Sequence, residues 1–124
     1  MTRQWSYPAC TVIDVHDGDT VKIDIDHGMA IWSRGVLLRL IGIAARELKD
    51  PGGVEARDHL RLFLPVGSVV AVTSFGWDKF GGRIVGTIHL PSGESAQARM
   101  IADLYAVAWD GKGRQPVPAW PILS

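Results

Sequence analysis

Cysteine is almost missing from this sequence. Cys10 is the sole example among 124 residues, so an internal disulfide and a cysteine-ligated zinc site are both excluded. Net charge is missing too. Thirteen basic side chains balance thirteen acidic ones, which removes any general attraction to nucleic acid and demands a local site if one is met. No stretch approaches the ~20 consecutive apolar residues of a membrane span, and the first twenty residues carry no secretory signal pattern. The expected setting is therefore cytoplasmic, or an assembly built in a reducing compartment, with no membrane partner. What is present points to a folded unit. Apolar residues make up 47% of the chain, which excludes a disordered tail, and the length fits one domain.

Strand patterns come first along the chain. Thr11 to His16 and Asp19 to His27 are separated by Asp17-Gly18, a hairpin turn signal. In the second run Val21, Ile23 and Ile25 point one way and Lys22, Asp24 and Asp26 the other. A longer apolar run from Ala30 to Ile43 predicts a third strand, with Gly35 and Gly42 marking a bulge or bend. Asp50-Pro51 offers a helix start. Ala56, Leu60, Phe63 and Leu64 form one helical face, and Pro65 ends it. Strands are expected again over Ser68 to Phe75 and Arg83 to Leu90, flanking a glycine-rich turn. Ser95 caps a second expected helix whose stripe runs Ala98, Ile101, Ala102, Tyr105, Ala108 and Trp109.

The resulting order, β-β-β-α-β-β-α, favours a small closed five-stranded barrel with two helices in the α+β class. An SH3-like barrel or an α+β sandwich also satisfies the packing. The expected division is an N-terminal arm over 1–10, a barrel domain over 11–109 and an extended, proline-rich C-terminal arm over 110–124.

Two charges stand on the wrong face. Asp19 shares its side of a strand with Val21, Ile23 and Ile25, and Arg39 shares its side with Leu37, Ile41 and Ile43. An isolated charge on an apolar face costs several kcal/mol unless it is paired, hydrogen-bonded or bound to a metal. Two readings stay open: a structural ion pair, or a mouth that holds a cation and a phosphate.

From Val12 to Arg114 the sequence resembles the staphylococcal nuclease family. The resemblance rests on Asp17-Gly18-Asp19-Thr20, on LLRLIGI with Arg39 inside it, on Glu47 four residues beyond, on Asp78-Lys79-Phe80-Gly81-Gly82-Arg83, and on the ending AVAWDGKGR. It implies an OB-fold barrel that hydrolyses DNA or RNA phosphodiesters with calcium. Asp19 would then bind the calcium, and Arg39 and Arg83 would hold the phosphate. Glu47 would activate the attacking water, and the main-chain carbonyl of Ala45 would complete the metal's ligands. Calcium takes oxygen ligands, and guanidinium forks match a phosphate.

One position departs from the family. Ala44 stands where the second metal carboxylate belongs, and a methyl group binds no calcium. Arg46 adds positive charge nearby, and the second glycine of Phe80-Gly81-Gly82-Arg83 displaces Arg83 relative to the family pattern. Asp17, Asp50 and Asp78 are the carboxylates that could compensate. With this variant the chain is similar to small nuclease-like proteins of actinobacterial bacteriophages, some of them among virion tail genes.

The remaining residues are quieter. His16, His27, His59 and His89 share no ligand spacing, and only His16 lies near the turn. Cys10 has no basic neighbours to activate a thiolate. Trp32, Trp77, Trp109 and Trp120 suit base stacking or core packing. Trp5, Tyr7, Trp120, Ile122 and Leu123 in the arms would form an adhesive surface for protein partners, as a homo-oligomer or in a virion. Two functions follow as expectations. One is a non-catalytic structural or binding module with a degenerate calcium site. The other is a calcium-dependent nuclease acting on DNA or RNA.

Overall fold

The computed structural model describes residues 3–123. Seven strands and two helices follow one another: β1 (Trp5–Asp17), β2 (Thr20–Asp26), β3 (Trp32–Leu40), β4 (Ile43–Ala45), α1 (Gly53–Phe63), β5 (Val69–Trp77), β6 (Ile84–His89), α2 (Ala96–Ala102) and β7 (Ala106–Ala108). Five strands close a barrel in the order β1-β2-β3-β6-β5, and β4 and β7 form a separate two-stranded sheet. The architecture is OB-like, mainly β with two helices. Among the described residues, no helix is long and apolar enough to cross a membrane.

The alternation of β2 does what its pattern predicts. Val21, Ile23 and Ile25 are buried with Val12, Val15, Leu38, Leu40, Val72 and Ile88 in the barrel core. Both helices add to that core, with Ala56, Leu60 and Met100 buried in the same cluster. Ser95 caps α2, its hydroxyl accepting the Ala98 N–H at 3.0 Å. Asp50 does not cap α1. The N-cap is Gly52 at φ +89°, with no side-chain hydrogen bond.

Three expectations change in the folded chain. First, β1 begins at Trp5, six residues before the expected strand start. Trp5, Ser6 and Tyr7 pair with Ser74, Thr73 and Val72 of β5. Pro8 has no N–H for a ladder, and it sits in the register shift between Tyr7 and Cys10, where a bulge tolerates it. Most of the expected N-terminal arm is thus barrel wall, while residues 1, 2 and 124 of the two arms lie outside the described residues. Second, the long apolar run breaks at Gly42, whose φ of +88° turns the chain out of β3 and into β4. Third, the second helix stops at Ala102 instead of running to Trp109. Leu104 takes φ +66°, and Ala106–Ala108 pair antiparallel with Ala45–Ile43. The segment Ala-Val-Ala suits a strand as well as a helix, and pairing with β4 decides it.

Candidate functional site

The site begins at the β1–β2 turn. Asp17 opens it, one carboxylate oxygen accepting the Asp19 N–H at 3.0 Å. Gly18 is required there by space: an added Cβ would stand 2.7 Å from the Ala45 methyl and 2.9 Å from that of Ala56. The turn is therefore clamped beneath β4 and α1, and the clamp carries Asp19 inside, where it is only 7% exposed.

The Asp19 carboxylate is already engaged on both oxygens. Oδ1 accepts the Thr20 hydroxyl at 3.2 Å. Oδ2 accepts the Ala45 N–H at 3.2 Å and lies 3.5 Å from Nη2 of Arg39. Burial pushes the Asp19 carboxyl up to about 7, and Asp17 pushes the same way, against the Arg39 charge and the Ala45 N–H. Arg39 is equally committed. It donates from Nη1 to the Leu40 carbonyl and from Nη2 to the Ile43 carbonyl, at 2.6 and 2.8 Å. The Trp109 ring lies 5.8 Å from its guanidinium carbon. Burial draws the Arg39 pKa down, and Asp19 opposes this. The two charges on the wrong face have found each other, as the ion-pair reading expects.

Arg83 belongs to a different environment. Its Nε donates to Asp78 at 3.0 Å, and Nη1 reaches the Thr20 hydroxyl at 3.4 Å. Asp78 also accepts the N–H groups of Phe80 and Gly82, each at 3.2 Å, so it organises its own hairpin tip. The hydrogen bond from Arg83, with those N–H groups assisting, holds the Asp78 carboxyl below the usual range.

Arg39 and Arg83 line one cleft of about 530 Å³, together with Trp77, Lys79, Phe80 and Trp109 among others. Glu47 does not line it. It lies exposed in the loop after β4, 3.5 Å from Lys49, and borders a second cleft of about 270 Å³ with Ala45, Asp50 and the tail residues Gln115 to Val117. The fold brings Asp19 to Arg39, links Arg83 to them through Thr20, and leaves Glu47 facing other neighbours. Ala44 is fully buried opposite Val107. Arg46 turns away from Asp19, donating to the carbonyls of Pro51 and Pro118 at 2.9 and 3.1 Å. His16 is exposed.

This donor set does not fit calcium, which wants about six to eight oxygen ligands. Both Asp19 oxygens face hydrogen-bond donors, and the Leu40 and Ile43 carbonyls are taken by Arg39. Among the described residues, no three His, Cys, Asp or Glu side chains are grouped to hold a metal ion.

No family model and no curated protein matches the chain. The functional reading is carried by the site's own chemistry.

Two parts of the site were not visible as such in the sequence. Thr20, the link between Asp19 and Arg83, looks like an ordinary strand residue. Trp109 reads as the end of a helical stripe but lies beyond β7, over Arg39. A signal for the second existed in Ala106 to Trp109, which alternates small and large as a strand does. Trp77 at the end of β5 and Phe80 in the turn that follows are 67% and 81% exposed.

Proposed function

We propose that this chain is a staphylococcal nuclease-like barrel working as a non-catalytic binding or structural module. Its place is in a larger protein assembly, of which a bacteriophage tail is the best example. The observation that carries the reading is the closed state of Asp19. Both oxygens are held by groups of the chain itself, and the neighbouring position that would supply a second anionic ligand is the buried methyl of Ala44. A carboxylate so enclosed, with its pKa pushed up to about 7, is a poor anchor for a hard cation. Glu47, the expected water-activating base, borders a different cleft from the two arginines, and a general base must lie within hydrogen-bond reach of the water it activates. Protein partners are expected through the apolar terminal segments, and the setting is the cytoplasm or a virion.

One observation favours a second reading, a calcium-dependent nuclease on DNA or RNA. Arg39 and Arg83 line the same cleft beside exposed aromatic rings, an arrangement suited to a phosphate and a base.

The decisive experiment incubates the protein with plasmid, single-stranded DNA and RNA in calcium, in magnesium and in chelator. The module reading expects no cleavage above background in any arm. Cleavage that chelator abolishes and Glu47→Ala removes overturns it in favour of the nuclease. Calcium-dependent cleavage gained by Ala44→Asp would identify that methyl as the step that silenced the scaffold.

A further inference from the structure

The β5–β6 hairpin carries two large aromatic rings into solvent, and its backbone is shaped to put them there. A register shift interrupts β5 between Ser74 and Trp77, where Gly76 takes φ +103° and donates its N–H to the Ser74 hydroxyl at 3.1 Å. Bulges of this kind bend a strand and re-aim the side chain that follows. Asp78 then fixes the tip through the Phe80 and Gly82 N–H groups, so Trp77 and Phe80 stand on a held turn. Among the described residues neither ring stacks on another aromatic, and only Phe80 has a cation over it, Lys79 at 5.2 Å.

Another wall of the same cleft is the segment that follows β7. Trp109 donates from Nε1 to the Lys112 carbonyl at 3.1 Å, and the Lys112 N–H donates to Oδ1 of Asp110 at 2.9 Å, which ties this turn to the barrel. Gly111 and Gly113 line the cleft at φ of +82° and +71°, and a Cβ added at either would meet no atom within 4 Å. A ligand can therefore approach their main chain closely. Gln115 lines the cleft too, with an amide that both donates and accepts. Ile41 and Val85 supply apolar surface between the walls.

Charge decides what such a cleft holds. OB-type barrels take oligonucleotides or oligosaccharides at the loop joining their fourth and fifth strands, which here is the β5–β6 hairpin. Three bases, Arg39, Lys79 and Arg83, line the cleft with two acids, Asp78 and Asp110, and a third acid, Asp19, lies 3.5 Å from Arg39. The charges balance. A polyphosphate chain would gain little net attraction and would meet two carboxylates. A neutral ligand rich in hydroxyls meets donors and acceptors side by side. Among the described residues nothing pairs with Nη2 of Arg83 or Oδ2 of Asp110.

We infer that this cleft binds a neutral oligosaccharide, one sugar ring lying with its C–H face on Trp77 while Arg83, Asp110 and Gln115 take its hydroxyls. The inference rests on the binding-module reading and names the class of ligand that the module holds. A pyranose ring presents apolar C–H bonds on its faces and hydroxyls around its edge, which matches an open aromatic face beside a polar rim. The volume of about 530 Å³ lies in the ordinary range of small-molecule sites and accommodates a short oligosaccharide.

The test titrates the full-length protein, without calcium, with neutral hexasaccharides of glucose, mannose, galactose and arabinose, read by calorimetry and tryptophan fluorescence. At least one is expected to bind with a Kd of about 1 mM or tighter, to shift the tryptophan emission, and to keep its affinity as salt rises, since it forms no ion pair. Trp77→Ala, at a position already 67% exposed, is expected to leave the fold intact and to weaken binding about tenfold or more. Trp77→Phe, which keeps a ring, is expected to recover most of that loss, and Trp32→Ala on β3 to change nothing. Failure of all four sugars to bind at millimolar concentration overturns the inference, as does binding that Trp77→Ala leaves unchanged. Tighter binding of a thymidylate dodecamer that fades as salt rises overturns it in favour of nucleic acid. The module reading itself falls only to cleavage in the digestion assays, so the two failures are told apart.

Discussion

The two arginines of the larger cleft have nearly opposite physical situations. The Arg39 side chain is 9% exposed and saturated by two carbonyls and a buried carboxylate. The Arg83 side chain is 38% exposed and pairs with Asp78, which also accepts two N–H groups of its own turn. Their resemblance to family positions would give them one shared task. The fold gives Arg39 a structural task, holding the β3–β4 bend against the β1–β2 turn, and leaves only Arg83 with a face turned to solvent. A side chain's chemistry is available to a ligand only to the extent that the protein has not already used it.

The comparison is broken most severely at Arg39. Replacing it with Met leaves Asp19 buried without its counter-charge, which is expected to cost about 3–5 kcal/mol at pH 8. The cost depends on pH with a definite sign. A carboxyl held near 7 in the folded protein, against roughly 4 unfolded, binds its proton more readily when folded. Its share of stability is therefore full below about pH 4 and is lost as pH rises towards 7. Without Arg39 that loss deepens at high pH and relaxes at pH 5, where Asp19 is neutral. Urea unfolding of Arg39→Met at pH 5 and pH 8 measures this. An equal deficit at both values would mean that Asp19 is not the charge Arg39 serves.

A milder break lies at Thr20, the hydroxyl that donates to Asp19 and accepts from Arg83. Thr20→Val removes both hydrogen bonds from a buried position and is expected to cost about 1–2 kcal/mol. Thermal unfolding measures it, and a double-mutant cycle with Arg83→Ala would show how much of the cost passes through Arg83. Arg83→Ala on its own is expected to lose less than about 1 kcal/mol, and less again in high salt, because the Arg83 side chain is 38% exposed where it meets Asp78. In that variant the Asp78 carboxyl should titrate higher than in the unaltered protein, since Arg83 is the main cause of its depression; carbon-detected NMR titration reads it directly. The smallest effect is expected at Glu47. Its pair with Lys49 is exposed on both sides, and Glu47→Ala should change unfolding free energy by less than about 0.5 kcal/mol.

Much of the barrel was legible in the residues. The alternation in β2, the Asp17-Gly18 turn and the Ser95 cap each carry their own local signal, and each is found in the fold. The start of the first strand and the whole of the last were not. Pro8 disguises Trp5 to Cys10 as an arm, because a proline is tolerated in a strand only where the ladder breaks, and that break depends on β5 sixty residues away. Ala106 to Ala108 carries helical and strand periodicity together, and the choice depends on β4. At the site, the misplaced charges of Asp19 and Arg39 announced themselves by parity alone. Their other partners, the Ala45 N–H and the carbonyls of Leu40 and Ile43, are main-chain groups without any side-chain signature, and they converge only because Gly42 bends the chain.

The amino-acid sequence by itself determined that apolar strand faces would build a β-rich core and that one acid and one base would share those faces, since periodicity and turn chemistry act between near neighbours. The tertiary structure decided what those charges do. Asp19 is bound to Ala45 across 26 positions and Arg83 reaches Thr20 across 63, and hydrogen-bond partners at such separations are set by how strands and loops close in space.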